Sequence, residues 1–426
     1  MLLSEKLLQY CWRYRHYNAR SLCTAAGAPV EVIQPGLPNT DAGPDFMQAR
    51  IRIGDAVLAG HVEIHLKASD WYRHRHGQDP AYGNVILHVV WENDRPVTEL
   101  EEKGIPALEL RDRIPGLLLE KYERLMEHPG FVPCSAQLGQ VDEQVWLGWK
   151  ERLVIERQEV KTELLERWLE ETANDWETVF YRALGRSLGG PVNGDALEGV
   201  CRALPLKILA RHRDQLLQLE ALFFGQAGLL EAKFSDAYPR QLQQEYRFLQ
   251  RKYSLLPVSG YYWKWLRMRP SAFPSLRIAQ LAMLMYTTDH LFSGMLEAGT
   301  AARLEQLLSV QAGGYWDTHY RFDQLSPRRE KKLGLTSVRM LIINTVVPML
   351  VLYGRLKGMD RYTEKALALL QVLPAEQNRI TRRWQELGVT HRCASDSQAL
   401  LHLKKHYCDE RRCLDCRIGI RLIHEP

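Results

Sequence analysis

Two stretches decide how this chain is read: Asn39-Thr40-Asp41-Ala42-Gly43-Pro44-Asp45-Phe46 and Val62-Glu63-Ile64-His65-Leu66-Lys67. The first delivers an acid just after a Gly-Pro turn, at the head of an alternating run over 46–53. Gly54-Asp55 is a good hairpin turn, and 56–67 is the return strand. Along that strand Glu63, His65 and Lys67 share one face, and Val62, Ile64 and Leu66 share the other. Paired as a hairpin, the two strands bring Asp45 and Glu63 side by side.

Working outward, 3–17 has the spacing of an amphipathic helix and carries Glu5. A short strand is expected at 29–33. The His-rich segment Asp70-Trp71-Tyr72-Arg73-His74-Arg75-His76-Gly77 then leads to a nearly continuous apolar run at 85–90. Such a run marks a central strand buried on both faces. One more strand at 106–110 and a helix at 117–126 complete a small α/β domain over 1–130.

After Pro133 strand signals largely vanish. Helical periodicity with dense charge runs over 146–168, and further helices are expected at 175–187, 205–225, 240–252, 275–295, 336–354, 361–371, 375–387 and 396–407. The fold class is therefore α+β. A large all-α domain over 131–390 follows the α/β domain, and a cysteine-rich tail over 391–426 is expected to pack on the helical part.

The chain has 426 residues, 46% hydrophobic and 25% charged, a globular composition with room for more than one core. Apolar runs such as 341–352 read as too short to cross a bilayer. The first residues show no charged segment before an apolar stretch. No membrane association and a cytoplasmic location are expected. The net charge of +5 permits contact with an acidic polymer without requiring one.

Paired carboxylates beside a cation suit metal-assisted phosphodiester cleavage, in which Mg²⁺ or Mn²⁺ polarises a phosphate and activates a water. Asp45 and Glu63 are the expected metal ligands, with Glu5 a possible addition. Lys67 or His65 would assist the water or the phosphate. His74 and His76 are candidate phosphate contacts. Two other readings stay open: a merely solvated sheet face, or a transition-metal site built on His61, Glu63 and His65 with His88 nearby.

Four of the eight cysteines, Cys11, Cys23, Cys134 and Cys201, are scattered and read as reduced thiols. The tail instead holds Cys408-x4-Cys413-x2-Cys416, three thiols suited to Zn²⁺ or an iron–sulfur cluster. Cys393, His402 and His406 are the candidate fourth ligands. Tyr261-Tyr262-Trp263-Lys264-Trp265-Leu266-Arg267-Met268-Arg269 interleaves rings and cations. It is a candidate nucleic-acid surface through Lys264, Arg267 and Arg269.

Pro44-Asp45 followed by Glu63-Ile64-His65, with a helix before and a central strand after, resembles the PD-(D/E)XK nuclease superfamily. Here His65 stands where that motif carries lysine, and Lys67 follows two residues later. The resemblance implies a restriction-endonuclease-like domain and a metal-dependent nuclease. It also implies a tail iron–sulfur staple, which some of those nucleases carry. A non-catalytic nucleic-acid- or protein-binding module built on the same sheet is the competing expectation. Over nearly its full length the chain resembles the bacterial domain-of-unknown-function family 2851. The carriers are the stretches around Asp45 and Glu63, Ser69-Asp70-Trp71-Tyr72, Val85–Val89, Arg267-Met268-Arg269-Pro270, Tyr315-Trp316 with His319-Tyr320, Ser397-Gln398 and the tail cysteines. That resemblance implies no particular activity.

Overall fold

The structure, a computed structural model, describes residues 3–258 and 263–424. The chain is mixed α+β and 56% helical, with a curled sheet near the N-terminus and a helical C-terminal part. It divides into two compact units. One comprises Met1–Trp149, Arg383–Val389 and Leu403–Pro426; the other comprises Lys150–Arg382 and Thr390–His402. The boundary expected at residue 130 thus falls inside the first unit. The tail expected over 391–426 is divided: Thr390–His402 belongs to the second unit and Leu403–Pro426, with Cys408, Cys413 and Cys416, to the first.

In the first unit, helix α1 (Glu5–Tyr14) starts where the Ser4 side chain accepts the Leu7 amide and stops at Arg15, whose φ is 58°. Its buried stripe is Leu7, Leu8, Cys11 and Trp12. The sheet contains β1 (Val30–Gln34), β2 (Leu37–Pro38), β3 (Phe46–Ile53), β4 (Ala56–Lys67), β5 (Val85–Glu92) and β6 (Ala107–Glu109). The strand order is β1-β3-β4-β5-β6, with β2 also on β3. β3 and β4 are an antiparallel hairpin, and β4, β5 and β6 run parallel.

Two register shifts converge on the middle of β4. β3 slips against it between Phe46 and Ala49, where Gln48 has φ 56°, and β5 slips between His61 and Val62. Bulges of this kind bend a strand and re-aim its side chains. Gly60 sits at the crossing: a Cβ there would lie 2.4 Å from the Ile86 side chain and 2.6 Å from the Asn84 carbonyl. Helix α2 (Asp70–Arg73) and two short 3-10 turns carry the crossover to β5, helix α3 (Thr98–Glu102) lies between β5 and β6, and helix α4 (Gly116–Glu127) follows β6.

The second unit is helical apart from a small hairpin, His319–Arg321 with Gln324–Leu325. The helix expected over 175–187 continues through Trp176–Ala203, with Gly190 at φ 64° before Pro191 marking a kink. Leu335–Lys357 is one continuous rod through a π-helical turn at Ile342–Val346, so the apolar run is longer than expected. By length and composition this one helix among the described residues passes for a bilayer-crossing segment, yet 61% of its most apolar window is buried inside the protein, as in a core helix.

Glu220 is fully buried beneath this core. Trp316 Nε1 donates to its Oε1 at 3.2 Å, and burial pushes its carboxyl up to about 8. The folded state therefore keeps a proton that the unfolded chain, with an ordinary carboxyl near pH ~4.3, gives up. Stability falls as pH rises from that value to about 8. Glu220→Gln is expected to change the Tm little at about pH 5 and raise it at about pH 8. Equal shifts at both pH values would contradict this assignment.

Candidate metal centre

Asp45 and Glu63 are tied together through the backbone. The Asp45 amide donates to Glu63 Oε2 at 3.1 Å, and the Ile64 amide donates to Asp45 Oδ2 at 3.0 Å. Gln9 on α1 adds a third bond, from its Nε2 to Asp45 Oδ1 at 2.8 Å. Glu63 is only 4% exposed and His65 1%. The solvated-face reading therefore fails: β4 is central, and both its faces are covered.

Burial raises both carboxyls above their ordinary range. For Glu63 the Asp45 charge adds to that push and the Asp45 amide opposes it. For Asp45 the Ile64 amide and Gln9 pull the other way, and Glu5 pushes it up further. Glu5, at the start of α1, has a buried Oε1 with no hydrogen-bond partner. Three acids from α1, β3 and β4 thus act on one another.

Against Glu63 stands a group of imidazoles. Its Oε1 is 3.4 Å from His65 Nε2 and 3.1 Å from His76 Nε2. The second contact lies off any hydrogen-bonding line, so His76 Nε2 stays a buried atom without a hydrogen-bond partner. His65 Nε2 is also 3.0 Å from His74 Nδ1. One ligand atom from each of His65, His74 and His76 fits within 4.8 Å of the others. His65 and His76 are buried while His74 is exposed, so the group opens to solvent at His74.

His88 on β5 lies behind the cluster, fully buried, with Nε2 2.9 Å from His65 Nδ1. A ring so anchored can present Nε2 outward in one orientation. Burial pushes His65 down to about 2, helped by the His88 charge and other neighbours. It pushes His76 down to about 4 and His88 down to about 3. Neutral imidazoles are the form that ligates metals. The rings rest on Trp71 and Tyr82, the latter stacked on His76 at 3.9 Å. Both aromatics belong to a buried cluster with Ala68, Val85, Val90, Val97 and Leu100. Arg75, at φ 58°, turns the chain between His74 and His76.

Not every expected residue joins. Lys67 is exposed at the strand end, where its amide bonds Asp70 Oδ2 and its charge acts on Asp94. His61 accepts the Gln48 amide at 3.3 Å, beside the bulge. Conversely, His74 and His76, expected as phosphate contacts, stand at ligand distance from His65. Gln9 and Tyr82 had carried no sequence signal, because α1 and the crossover meet the hairpin only in three dimensions.

The tail cysteines lie in the first unit with an unexpected neighbour. Cys134 feels the charge of Cys413 and Cys416, and Cys408 feels Cys134, Cys413 and Cys416. Two of the candidate fourth ligands are engaged within the second unit: Cys393 Sγ with Gln371 Oε1 at 3.5 Å, and His402 Nε2 facing Glu156 at 3.5 Å. In the second unit, Trp263 is buried and donates Nε1–H to the Ala227 carbonyl, and Trp265 stacks under Arg321. Lys264, Arg267 and Arg269 are exposed. Tyr261 and Tyr262 lie outside the described residues. Tyr315 bonds Asp236 and stacks on His319 at 4.0 Å.

The first unit is thus a mixed-sheet domain that gathers carboxylates and imidazoles at one hairpin. The chain belongs to the family described as protein of unknown function (DUF2851), which matches residues 5–379. The match takes in Glu5, Asp45, Glu63, the histidines from His61 to His88 and Cys134, and ends before His402 and Cys408. Searches of curated proteins and of solved structures returned no match.

Bound metal must displace protons held by the raised Asp45 and Glu63 carboxyls, while the lowered histidines offer none near neutrality. Mn²⁺ affinity, followed by calorimetry, is therefore expected to rise with pH from about 6 to about 8. Glu63→Gln should raise the Tm of the metal-free protein at about pH 8, because folding then no longer has to protonate this carboxyl, and should abolish the Tm gain on adding Mn²⁺. His88→Phe should weaken binding on the order of 10–100-fold. An undiminished Mn²⁺ shift in Glu63→Gln would refute the centre.

Proposed function

We propose that the first unit is a divalent-metal-dependent phosphodiester hydrolase acting on nucleic acid. One observation carries the reading: the carboxylates of Glu5, Asp45 and Glu63 act on one another, and Glu63 faces His65 and His76, at a point open through His74. Buried like charges persist where a cation completes them. Glu63 and Asp45 would hold that cation, with His65 and His76 beside Glu63 and Glu5 in reserve. The mixed donor set favours Mn²⁺ or another first-row ion over Mg²⁺, which prefers oxygen alone.

When bound, the metal supplies a polarised phosphate and a water of lowered pKa. The protein's own part is positional. Gln9 and the Ile64 amide fix the Asp45 carboxylate, and the Asp45 amide fixes Glu63. His88 fixes His65. His74, exposed and 3.0 Å from His65, is placed to accept the proton of an attacking water. The role foreseen for Lys67 passes to imidazole. The order of elements supports the restriction-endonuclease-like reading: a helix with Glu5, a hairpin with Asp45 and Glu63, a crossover, then parallel β5. In the second unit, exposed Lys264, Arg267 and Arg269 suit phosphate contacts.

The test is cleavage of labelled DNA and RNA by the full chain with Mn²⁺, Mg²⁺ or Zn²⁺. Asp45→Asn, Glu63→Gln and His65→Ala should each cost at least ~100-fold, on the scale of lost general acid–base or metal function. Lys67→Ala should retain activity. Replacing Lys264, Arg267 and Arg269 together with alanine should weaken binding to any sequence and flatten the salt slope by about two to three. If wild type and Glu63→Gln are equally inert on every substrate while Mn²⁺ still binds, the histidine-rich transition-metal reading takes over. Inertness with no metal binding would favour a non-catalytic module.

A further inference from the structure

The second unit contains a cavity of about 730 Å³, within the range of small-molecule sites, roughly 300–1,000 Å³. Its walls come chiefly from residues 160–168 of the helix Glu143–Glu171, the kinked part of Trp176–Ala203 and the rod Leu335–Lys357. Leu164, Leu165, Met268, Met340 and Leu341 make the lining mostly aliphatic, and Trp168 is the single ring among the described lining residues. The kink at Gly190 and the π turn at Ile342–Val346 both fall on this cavity. Irregular turns of this kind inside helices are frequent at functional sites. Beside the kink, the Asn193 side chain donates to the Lys264 carbonyl at 2.9 Å and accepts the Lys264 amide at 2.8 Å. Its Nδ2 also reaches Met268 Sδ at 3.5 Å, which holds Met268 in the wall.

Most polar groups of the lining are already committed. Lys161 Nζ donates to the Ile343 carbonyl, Asn344 Oδ1 and Gln398 Oε1, at 3.4, 2.9 and 2.7 Å, one neutral acceptor for each of its N–H groups. Ser187 Oγ is 2.6 Å from Thr345 Oγ1. Arg186 pairs with Asp195, the one acid among the described lining residues. Arg277 differs. Its Nη1 donates to Gln280 Oε1 at 3.0 Å and its Nη2 to Ser337 Oγ at 3.3 Å, and no carboxylate pairs with it among the described residues. The other N–H groups of its fork are left to take an acceptor from outside. Burial lowers its pKa, and no acid opposes that push. A desolvated cation without a counter-charge is completed by an anion. Ser337, against Arg277, and Asn344, against Lys161, are 344 − 337 = 7 residues apart on the rod, on the order of 10 Å. Met340 and Leu341 lie between them. The demand for charge thus sits at one end of an aliphatic run.

We infer that this cavity binds an anionic amphiphile, a single aliphatic chain ending in a carboxylate or a phosphate, with the head on Arg277 and Ser337 and the chain along Met340, Leu341, Leu164 and Leu165. A nucleobase fits the lining poorly. Bases are gripped by stacking, and the guanidinium of Arg182 already lies over the Trp168 ring at 4.5 Å. The exposed Lys264, Arg267 and Arg269 offer their charge to water, whereas Arg277 meets its anion where burial strengthens a charge-assisted bond. The site lies within the second unit and stands whether or not the carboxylate–histidine centre holds a metal.

The experiment is calorimetric titration of the full chain with octanoate, decanoate, dodecanoate, decyl phosphate and decanol, each below its micelle concentration. EDTA is present, so that no metal at the N-terminal site takes the head group. One ligand per chain is expected, with affinity rising about 4-fold per added methylene. Decanol should bind at least ~10-fold more weakly than the better of decanoate and decyl phosphate, and that better anion identifies the head group. Arg277→Gln should cost the anions about 10- to 100-fold and decanol little. Met340→Trp, which fills the cavity, should abolish binding of every probe and leave the circular dichroism spectrum unchanged. No binding of any probe to the wild type, decanol bound as tightly as both anions, or undiminished anion binding in either variant would overturn the assignment. If Arg277→Gln does not fold, the decanol comparison and Met340→Trp decide.

Discussion

Everything at the N-terminal site depends on a reciprocal clasp between two adjacent strands. Asp45 lends its amide to Glu63, and the residue after Glu63 lends its amide to Asp45. Backbone amides can hold carboxylates where no side-chain cation does. They also leave the carboxylates facing each other rather than neutralised, and burial then drives both toward their protonated forms. Holding an unpaired charge in such a place costs roughly several kcal/mol. A fold tolerates that when the surroundings over-determine the geometry. Here they do: two register shifts, Gly60 pressed on the Asn84 carbonyl and the Ile86 side chain, and α1 reaching over with Gln9.

The imidazoles extend the clasp into a layered site. Glu63 faces His65 and His76, His65 faces His74 and His88, and the rings are walled by Trp71 and Tyr82. Polarity falls with depth, from exposed His74 to fully buried His88. Desolvation acts oppositely on the two kinds of group: it keeps the histidines neutral and makes the carboxylates reluctant to ionise. The same burial that prepares nitrogen lone pairs for a metal raises the energy of the oxygens until a cation arrives.

Local signals gave the hairpin its place in the sequence: alternation, the Gly54-Asp55 turn and the Gly-Pro break put β3 and β4 where they are, and the apolar run located β5. Parity could not say that Glu63 and His65 are buried, because period two is identical for a half-wet strand and a central one. His74 and His76 lie in a crossover without periodicity, so only the αL turn at Arg75 reveals their convergence. Lys67 shares a face with Glu63 on paper but lies beyond the covered part of β4. The helical unit was legible as helices but not in its lengths. A kink at Gly190 and a π turn at Ile342–Val346 prolong rods that propensity would have ended.

The placing of Leu403–Pro426 in the first unit gives the tail helix a mechanical relation to the carboxylate site. The tail helix begins beside Cys416 and ends at His424, whose Nε2 lies 2.6 Å from Tyr10 Oη on α1. His16, just past that helix, packs its ring 4.1 Å from His424. The residue before Tyr10 is Gln9, which holds Asp45, and one turn earlier stands Glu5. The tail helix thus meets α1 at Tyr10, while Gln9 of the same helix meets Asp45. Glu5 Oε1 on α1 is buried without a hydrogen-bond partner. Its position rests on where α1 lies, and the tail is one of the supports that sets it.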